Sequence, residues 1–342
     1  MREISIQKNE AGQRMDKFLA KYLNKAPKSF FYKMMRKKNI TLNGKKAVGN
    51  EQLKQGDVIK LFLAEETIEN FIDHSQFSKK KASSAKKQTA GKKVQLDILY
   101  EDEAAVFINK PVGMLSQKAS PTDTSLVEYF IDYLLENGKI TEEELHTFHP
   151  SVCNRLDRNT SGIVAAGKTL QALQGLSEMF RDRTLKKYYL CLVKGQVKEN
   201  QRIHGYLVKN EKTNKVTVSQ KKPAEQTKDG KEASVIHTEY KVLARNRETT
   251  LLEVHLITGK THQIRAHLAS IGHPIAGDYK YGNRSFNDAL KKEYGLRSQL
   301  LHAYRLEFPE NCEGDIKQLS GKIIKAPVPA LFEQICKAQG VM

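Results

Sequence analysis

No stretch of this 342-residue chain is apolar for long enough to cross a bilayer. Residues 1–14 also lack the charged and then apolar pattern of a secretory signal. Both absences predict a soluble protein that stays in the cytoplasm. Cysteine is scarce: Cys153, Cys191, Cys312 and Cys336 stand alone and far apart, with neither zinc-knuckle nor redox spacing. Ordinary thiols in a reducing compartment are the expectation. The histidines do not supply a metal site, because His262 and His267 lie five apart in THQIRAH and one helical face brings ligands together at three or four. No internal repeat, no G-x-S-x-G elbow and no P-loop occurs. A serine hydrolase and phosphate-driven chemistry are therefore disfavoured.

Acidic residues are also short, 39 against 57 lysines and arginines, for a formal charge of +18. A balance this basic favours a polyanion, since phosphate contacts release counterions and bring affinity without sequence information. An anionic membrane surface is the rival, but no basic amphipathic helix with bulky apolar anchors stands out, so nucleic acid is the expected partner. Hydrophobic residues make up 39% of a chain long enough for one large domain and a smaller one.

Composition breaks near residue 78. Residues 79–93 hold seven lysines among Ser, Ala, Gln, Thr and Gly, with no large apolar side chain. Such a segment buries too little surface to offset its ordering entropy and reads as a flexible basic linker over 76–94. Before it, RMDKFLAKYL places Met15, Phe18, Leu19 and Tyr22 at helical spacing. SFFYKMMRKK predicts a second helix, ITLNGKKAV an Asn-Gly turn between short strands, and GDVIKLFL a closing strand. This order over residues 12–63 resembles the compact RNA-binding module shared by a small-subunit ribosomal protein and tyrosyl-tRNA synthetases, which implies a small RNA-binding domain over 1–75.

Residues 95–342 read as one α+β domain. AAVFINKP predicts a strand ending at Pro111. SLVEYFIDYLLENG predicts a helix with a Ser125/Glu128 capping box and a stop at Gly138. TLQALQGLSEMF predicts a second helix, and KKYYLCLVKG and TTLLEVHLITG predict strands. Several strands follow one another without a helix between them, which favours a mixed, largely antiparallel central sheet with flanking helices.

Three stretches carry unusual polar density: NRLDRNTSG, KKYYLCLVKG and TGKTHQIRAHL. The first sets Asp157 between Arg155 and Arg158. Read alone, that trio is either a structural ion pair or a reactive carboxylate held by cations. Only one acidic residue sits in the three stretches, whereas a hydrolytic glycosidase usually needs two. One carboxylate among cations suits a glycosidic bond whose leaving group needs no protonation, such as a pyrimidine leaving through nitrogen.

KPVGM, NRLDRNTSG, KYYLCLVKG, TGKTHQIRAHLASIGHPIAGDYKYG and LLHAYRLEF occur in that order, and over residues 95–335 they closely resemble the RluA-type family of RNA pseudouridine synthases. The leading basic module and the insertion at 283–297 resemble the branch acting on large-subunit ribosomal RNA; transfer RNA is the other substrate considered. The resemblance implies isomerisation of uridine to pseudouridine without metal or cofactor. By position it makes Asp157 the catalytic aspartate, acting as nucleophile or as acceptor of the sugar's 2′ proton. It makes Arg265 the partner of that carboxylate. Tyr189, rather than Tyr188, becomes the ring on the target uracil, with a hydroxyl that helps remove the carbon 5 proton. Arg155 enters the RNA stack as the uridine is extruded.

Arg158, His262 and Gln263 are carried over as substrate-binding positions, although the last two are also expected to hydrogen-bond their own loop. Asn154 departs from the family, where histidine usually precedes the arginine. Thr160 and Ser161 read as turn and capping residues. Lys110-Pro111 reads as one wall of the cleft, and His302 and Tyr304 as strand packing. A monomer is the default. The rival functions are a ribosome assembly factor that grips RNA without catalysis and a glycosylase that releases the base to water.

Overall fold

The computed structural model describes residues 1–73, 94–142, 144–210, 213–222 and 233–342. The expected linker lies almost wholly outside the described residues. The first elements are β1 (Arg2–Ser5), α1 (Met15–Tyr22), α2 (Lys28–Arg36), β2 (Ile40–Leu42), β3 (Lys45–Lys46), β4 (Val58–Leu61) and α3 (Glu65–Asn70). The strands form a four-stranded sheet in the order β1-β4-β2-β3. Met15, Phe18 and Leu19 are buried on one side of α1 and join Phe31 and Met35 of α2 in a core drawn entirely from residues 4–72. Lys17 and Lys21 stay outside that core, as the helical spacing predicts. Leu42 pairs with Lys45, so Asn43 and Gly44 alone make the turn, with φ of 50° and 73°. A two-residue turn of that hand matches the twist of the strands it joins.

The rest of the chain supplies β5 (Ile98–Glu101), β6 (Ala105–Lys110), α4 (Leu126–Glu136), β7 (Ser151–Val152), β8 (Ser161–Gly167), α5 (Leu170–Asp182), β9 (Lys186–Lys194), β10 (Gln201–Asn210), β11 (Lys215–Ser219), β12 (Ser234–Arg245), β13 (Thr249–Leu256), α6 (Gln263–Ser270), α7 (Arg284–Tyr294), β14 (Leu301–Glu307), β15 (Ile323–Lys325) and α8 (Ala330–Ala338). Among the described residues its strands make one sheet ordered β11-β10-β12-β13-β9-β14-β8-β6-β5, with β15 on β14 and β7 on β8. Among the described residues its strand pairings are antiparallel except β14 with β8. This is the mixed, largely antiparallel α+β architecture that the strand order predicts.

The sheet centre is covered on both faces. Every residue of β8 is buried. Val164 and Ala166 face Leu126, Phe130 and Leu134 of α4, while Ile163 and Ala165 face Ala172, Leu176 and Met179 of α5. Strands buried on both faces read as continuous apolar runs, which is why IVAA shows no alternation. Glu128 accepts from the amide and the hydroxyl of Ser125 at 2.9 and 2.8 Å and caps α4. Gly138, at φ 62°, turns the chain after it. Gly162 has φ of 113°, and a Cβ there would sit 2.1 Å from the Ala303 carbonyl oxygen. Only glycine lets β14 approach β8 that closely. The four cysteines are free thiols, and among the described residues no helix is long and apolar enough to cross a membrane.

Candidate active site

Asp157 stands in the loop between β7 and β8, and the groups holding that loop come from distant elements. The β7–β8 pairing ends with the Cys153 amide on the Ala165 carbonyl at 2.7 Å. The side chain of Asn154 then continues the ladder: its oxygen accepts from the Ala165 amide at 2.8 Å and its amide donates to the Ile163 carbonyl at 3.2 Å. A side-chain amide that stands in for a peptide frees the backbone to leave the sheet, which gives Asn154 a structural job in place of the family's usual histidine. Leu156 is held at both ends by Ser116, whose hydroxyl accepts its N–H at 3.0 Å and donates to its carbonyl at 2.9 Å. The Thr160 amide donates back to the Asp157 carbonyl at 3.0 Å, and Gln299 donates to the Thr160 hydroxyl at 3.1 Å.

Lys110 supplies the strongest anchor. Its side chain is fully buried, and its ammonium donates to the carbonyls of Pro111, Met114 and Arg158 at 2.9, 2.9 and 3.2 Å. Burial pushes its pKa down to about 8, opposed by the charge of Asp157. The expected cleft wall is therefore also a buried cation close to the carboxylate.

Arg265 approaches from α6. Its Nη1 donates to Asp157 Oδ2 at 2.7 Å, while Nε and Nη2 grip Asp278 at 2.7 and 3.0 Å. The guanidinium is thus clamped between two carboxylates with all its directions set. Asp278 is 1% exposed. Burial would raise its pKa, but the Arg265 fork and the amides of Lys280 and Tyr281 outweigh that and hold it below the usual carboxylate range. The arginine itself is pushed up by the same contacts, against burial. It also stands 5.2 Å from the centre of the Tyr281 ring.

Tyr281 ties a further residue in place. Its hydroxyl meets His262 Nδ1 at 2.9 Å and accepts from the Val216 amide at 2.9 Å. His262 is left-handed, φ 53°, and its Nε2 lies 3.8 Å from Asp157 Oδ2. Burial holds its pKa below the ordinary value, only partly countered by Asp157. A non-glycine residue in that conformation is retained only where its surroundings over-determine it.

These groups open on a cleft of about 820 Å³ lined by Arg155, Asp157, Arg158, Tyr189, His262 and Arg265, among others. Tyr189 of β9 is buried, and burial and the Asp157 charge both push its hydroxyl pKa up, so it stays protonated. Tyr188 points away and stacks on His255 at 4.8 Å with Arg305 above it at 4.0 Å. Arg155 and Arg158 are exposed at the rim. The site thus collects Asp157, Tyr189, Arg265, Arg155, Arg158 and His262.

Gln263 lines the cleft and also holds its own loop, as expected of it. It is 2% exposed, its amide donates to the His237 carbonyl and the Thr238 hydroxyl, both at 3.0 Å, and its oxygen accepts from Thr258 and Lys260. The side-chain amide thus ties β12 to the loop that opens α6. His302 packs in β14 against Ser161 at 2.9 Å, and the Tyr304 hydroxyl donates to Glu253. Asp278 and Tyr281 are the functional neighbours that sequence reasoning missed. Both lie in GDYKYG, beyond the end of α6, where an isolated acid after a glycine was the available signal.

The RNA pseudouridylate synthase family model matches residues 104–270. The "Ribosomal large subunit pseudouridine synthase C" of Vibrio parahaemolyticus is 34% identical over 336 residues, covering 97% of this chain and 94% of that protein. Its Vibrio vulnificus counterpart is 33% identical, covering 89% and 87%. A solved structure, "Human RNA Pseudouridylate Synthase Domain Containing 4", superposes with a TM-score of 0.57 at 24% identity, covering 72% of this chain and 94% of that one, and bears on the fold. With a relative of that identity running along nearly its whole length, the chain belongs to the RNA pseudouridylate synthase family.

Proposed function

We propose that this protein isomerises uridine to pseudouridine in large-subunit ribosomal RNA, with Asp157 as the group that acts on the sugar. The observation that carries the reading is the Asp157–Arg265 contact of 2.7 Å at the floor of a cleft that also holds Tyr189. A carboxylate either adds to the anomeric carbon or takes the 2′ proton, and both roles need it ionised and aimed. Arg265 aims the carboxylate by holding Oδ2, which leaves Oδ1 to meet the sugar. Tyr189 offers a ring for the uracil while the base turns, and its protonated hydroxyl shares the cleft with the carboxylate for the proton transfers at carbon 5. Arg155, exposed at the rim, fits the gap left when the nucleotide leaves the stack, a step the shielded anomeric carbon requires.

The division of labour in this reading is a basic RNA-gripping domain over 1–75, a linker over 76–94 and a catalytic domain over 95–342, acting as a cytoplasmic monomer. RNA tritiated at uracil carbon 5 tests the chemistry, because isomerisation frees that tritium. Stoichiometric enzyme is expected to release it from ribosomal RNA. Silence on every ribosomal and transfer RNA substrate would leave the non-catalytic assembly factor as the better account, and free uracil in the medium would point to a glycosylase. Removing residues 1–78 is expected to weaken RNA affinity more than it slows the chemical step, measured by filter binding beside single-turnover release. Equal affinity for both forms sinks the assigned role of the first domain.

A further inference from the structure

Lys187 is 7% exposed, yet no hydrogen-bond acceptor or carboxylate engages its ammonium among the described residues. Its charged neighbour is Arg183, a like charge that adds to burial in disfavouring the ammonium. The contrast with Lys110 is direct: that buried ammonium has three carbonyls, and this one has none. An unpaired buried cation is costly, so a fold that keeps one leaves room for an anion to complete it.

The place of Lys187 says which anion. It lies two residues before Tyr189 on β9, so both side chains leave the same face of the sheet, roughly 7 Å apart. Both line the cleft, whose lining also includes Arg155, Arg181 and Ser177. Asp157 is the sole carboxylate among the lining residues. The cleft lining is therefore rich in cations, and its buried ammonium stands one strand step from the ring assigned to the uracil.

Resting on the function proposed above, we infer that Lys187 is the centre of a phosphate seat, which takes a backbone phosphodiester of the RNA strand beside the nucleotide held on Tyr189, with Arg155 closing it from the rim. A single ammonium and a single phosphodiester oxygen make a charge-assisted hydrogen bond in a site with little competing water. The seat fixes the strand while the base turns and carries no base information.

Full-length Lys187→Gln, compared with the wild type on a ribosomal RNA transcript tritiated at uracil carbon 5, tests the seat. KM is expected to rise about tenfold or more, the loss of one hydrogen bond to a charged group, with kcat changed less. The slope of log affinity against log salt is expected to fall by about 0.7–0.9, the signature of one phosphate contact. Lys187→Arg keeps the slope, and the melting temperature of Lys187→Gln is not lowered, because no intramolecular bond is lost. Should the glutamine variant misfold, Lys187→Met, which keeps the stem without the charge, repeats the comparison. An unchanged salt slope overturns the seat, and so does a loss confined to kcat, which would place the ammonium on the base. If the wild type releases no tritium, the functional reading fails, while the salt slopes still decide the seat by binding alone.

Discussion

Asp157→Asn is expected to lose turnover while RNA binds as before. The amide neither adds to the anomeric carbon nor accepts the 2′ proton, so the variant fails under either description of the step. Removing a reacting group of this kind typically costs on the order of 10⁴-fold or more in kcat. The loop should survive the change, because its anchors do not pass through the carboxylate: Asn154 is tied to β8, Leu156 to Ser116, and the Arg158 carbonyl to Lys110. Arg265 keeps its bidentate contact with Asp278. RNA affinity and its salt slope are set by phosphate contacts from other residues, and the cleft loses a negative charge rather than a positive one. Single-turnover tritium release and filter binding across a salt series read the two halves separately. Release within tenfold of the wild type would remove Asp157 from the chemistry, and lost binding would mean that the carboxylate organises the RNA surface.

The elements with strong local patterns were legible from the residues alone. Helical spacing marked α1, the Ser125/Glu128 capping box and Gly138 marked α4, and Asn43-Gly44 marked its hairpin. What local pattern does not carry is which distant strand lies next to it. The wedging of β14 between β9 and β8, and with it the need for glycine at 162, follows from a contact across 141 positions in the pair Ser161–His302. The site divides along the same line. Asp157, Tyr189 and Arg265 stand within motifs, and the structure brings them into one cleft. Asp278 lies 13 positions beyond Arg265, past the end of a helix, and nothing local tells a reader that the chain returns there. Gln263 shows the converse: a motif shared with a family does not say whether a polar side chain faces the ligand or holds the loop. Lys187 carries no local signal, because lysines on strands usually reach solvent, and only burial without a partner among the described residues sets it apart.

Asp278→Asn is expected to impair catalysis without touching the substrate. Both oxygens of Asp278 accept: Oδ2 from Arg265 Nε, and Oδ1 from Arg265 Nη2 and the amides of Lys280 and Tyr281 at 2.9 and 3.2 Å. Whichever way an asparagine is placed, its amide meets at least one N–H, so one side of the fork breaks. The buried guanidinium then loses half of its compensation, and breaking one partner of a buried ion pair costs about 3 kcal/mol or more. Denaturant unfolding should show that loss at neutral pH. The sign in acid follows from the lowered pKa of Asp278, whose stabilisation is complete above the unfolded value of about 3.9 and fades as pH falls towards the folded one. The stability gap between wild type and variant should therefore narrow only below about pH 4. For turnover, Arg265 released from Asp278 no longer holds Asp157 to one rotamer, and a misplacement near 1 Å costs about 100-fold in kcat. RNA affinity should stay close to that of the wild type. If Asp278 acts only through Arg265, then in an Arg265→Gln background the same substitution should cost little further kcat, since residues in one network do not add. Full additivity in that double variant would mean that Asp278 reaches the chemistry by another route.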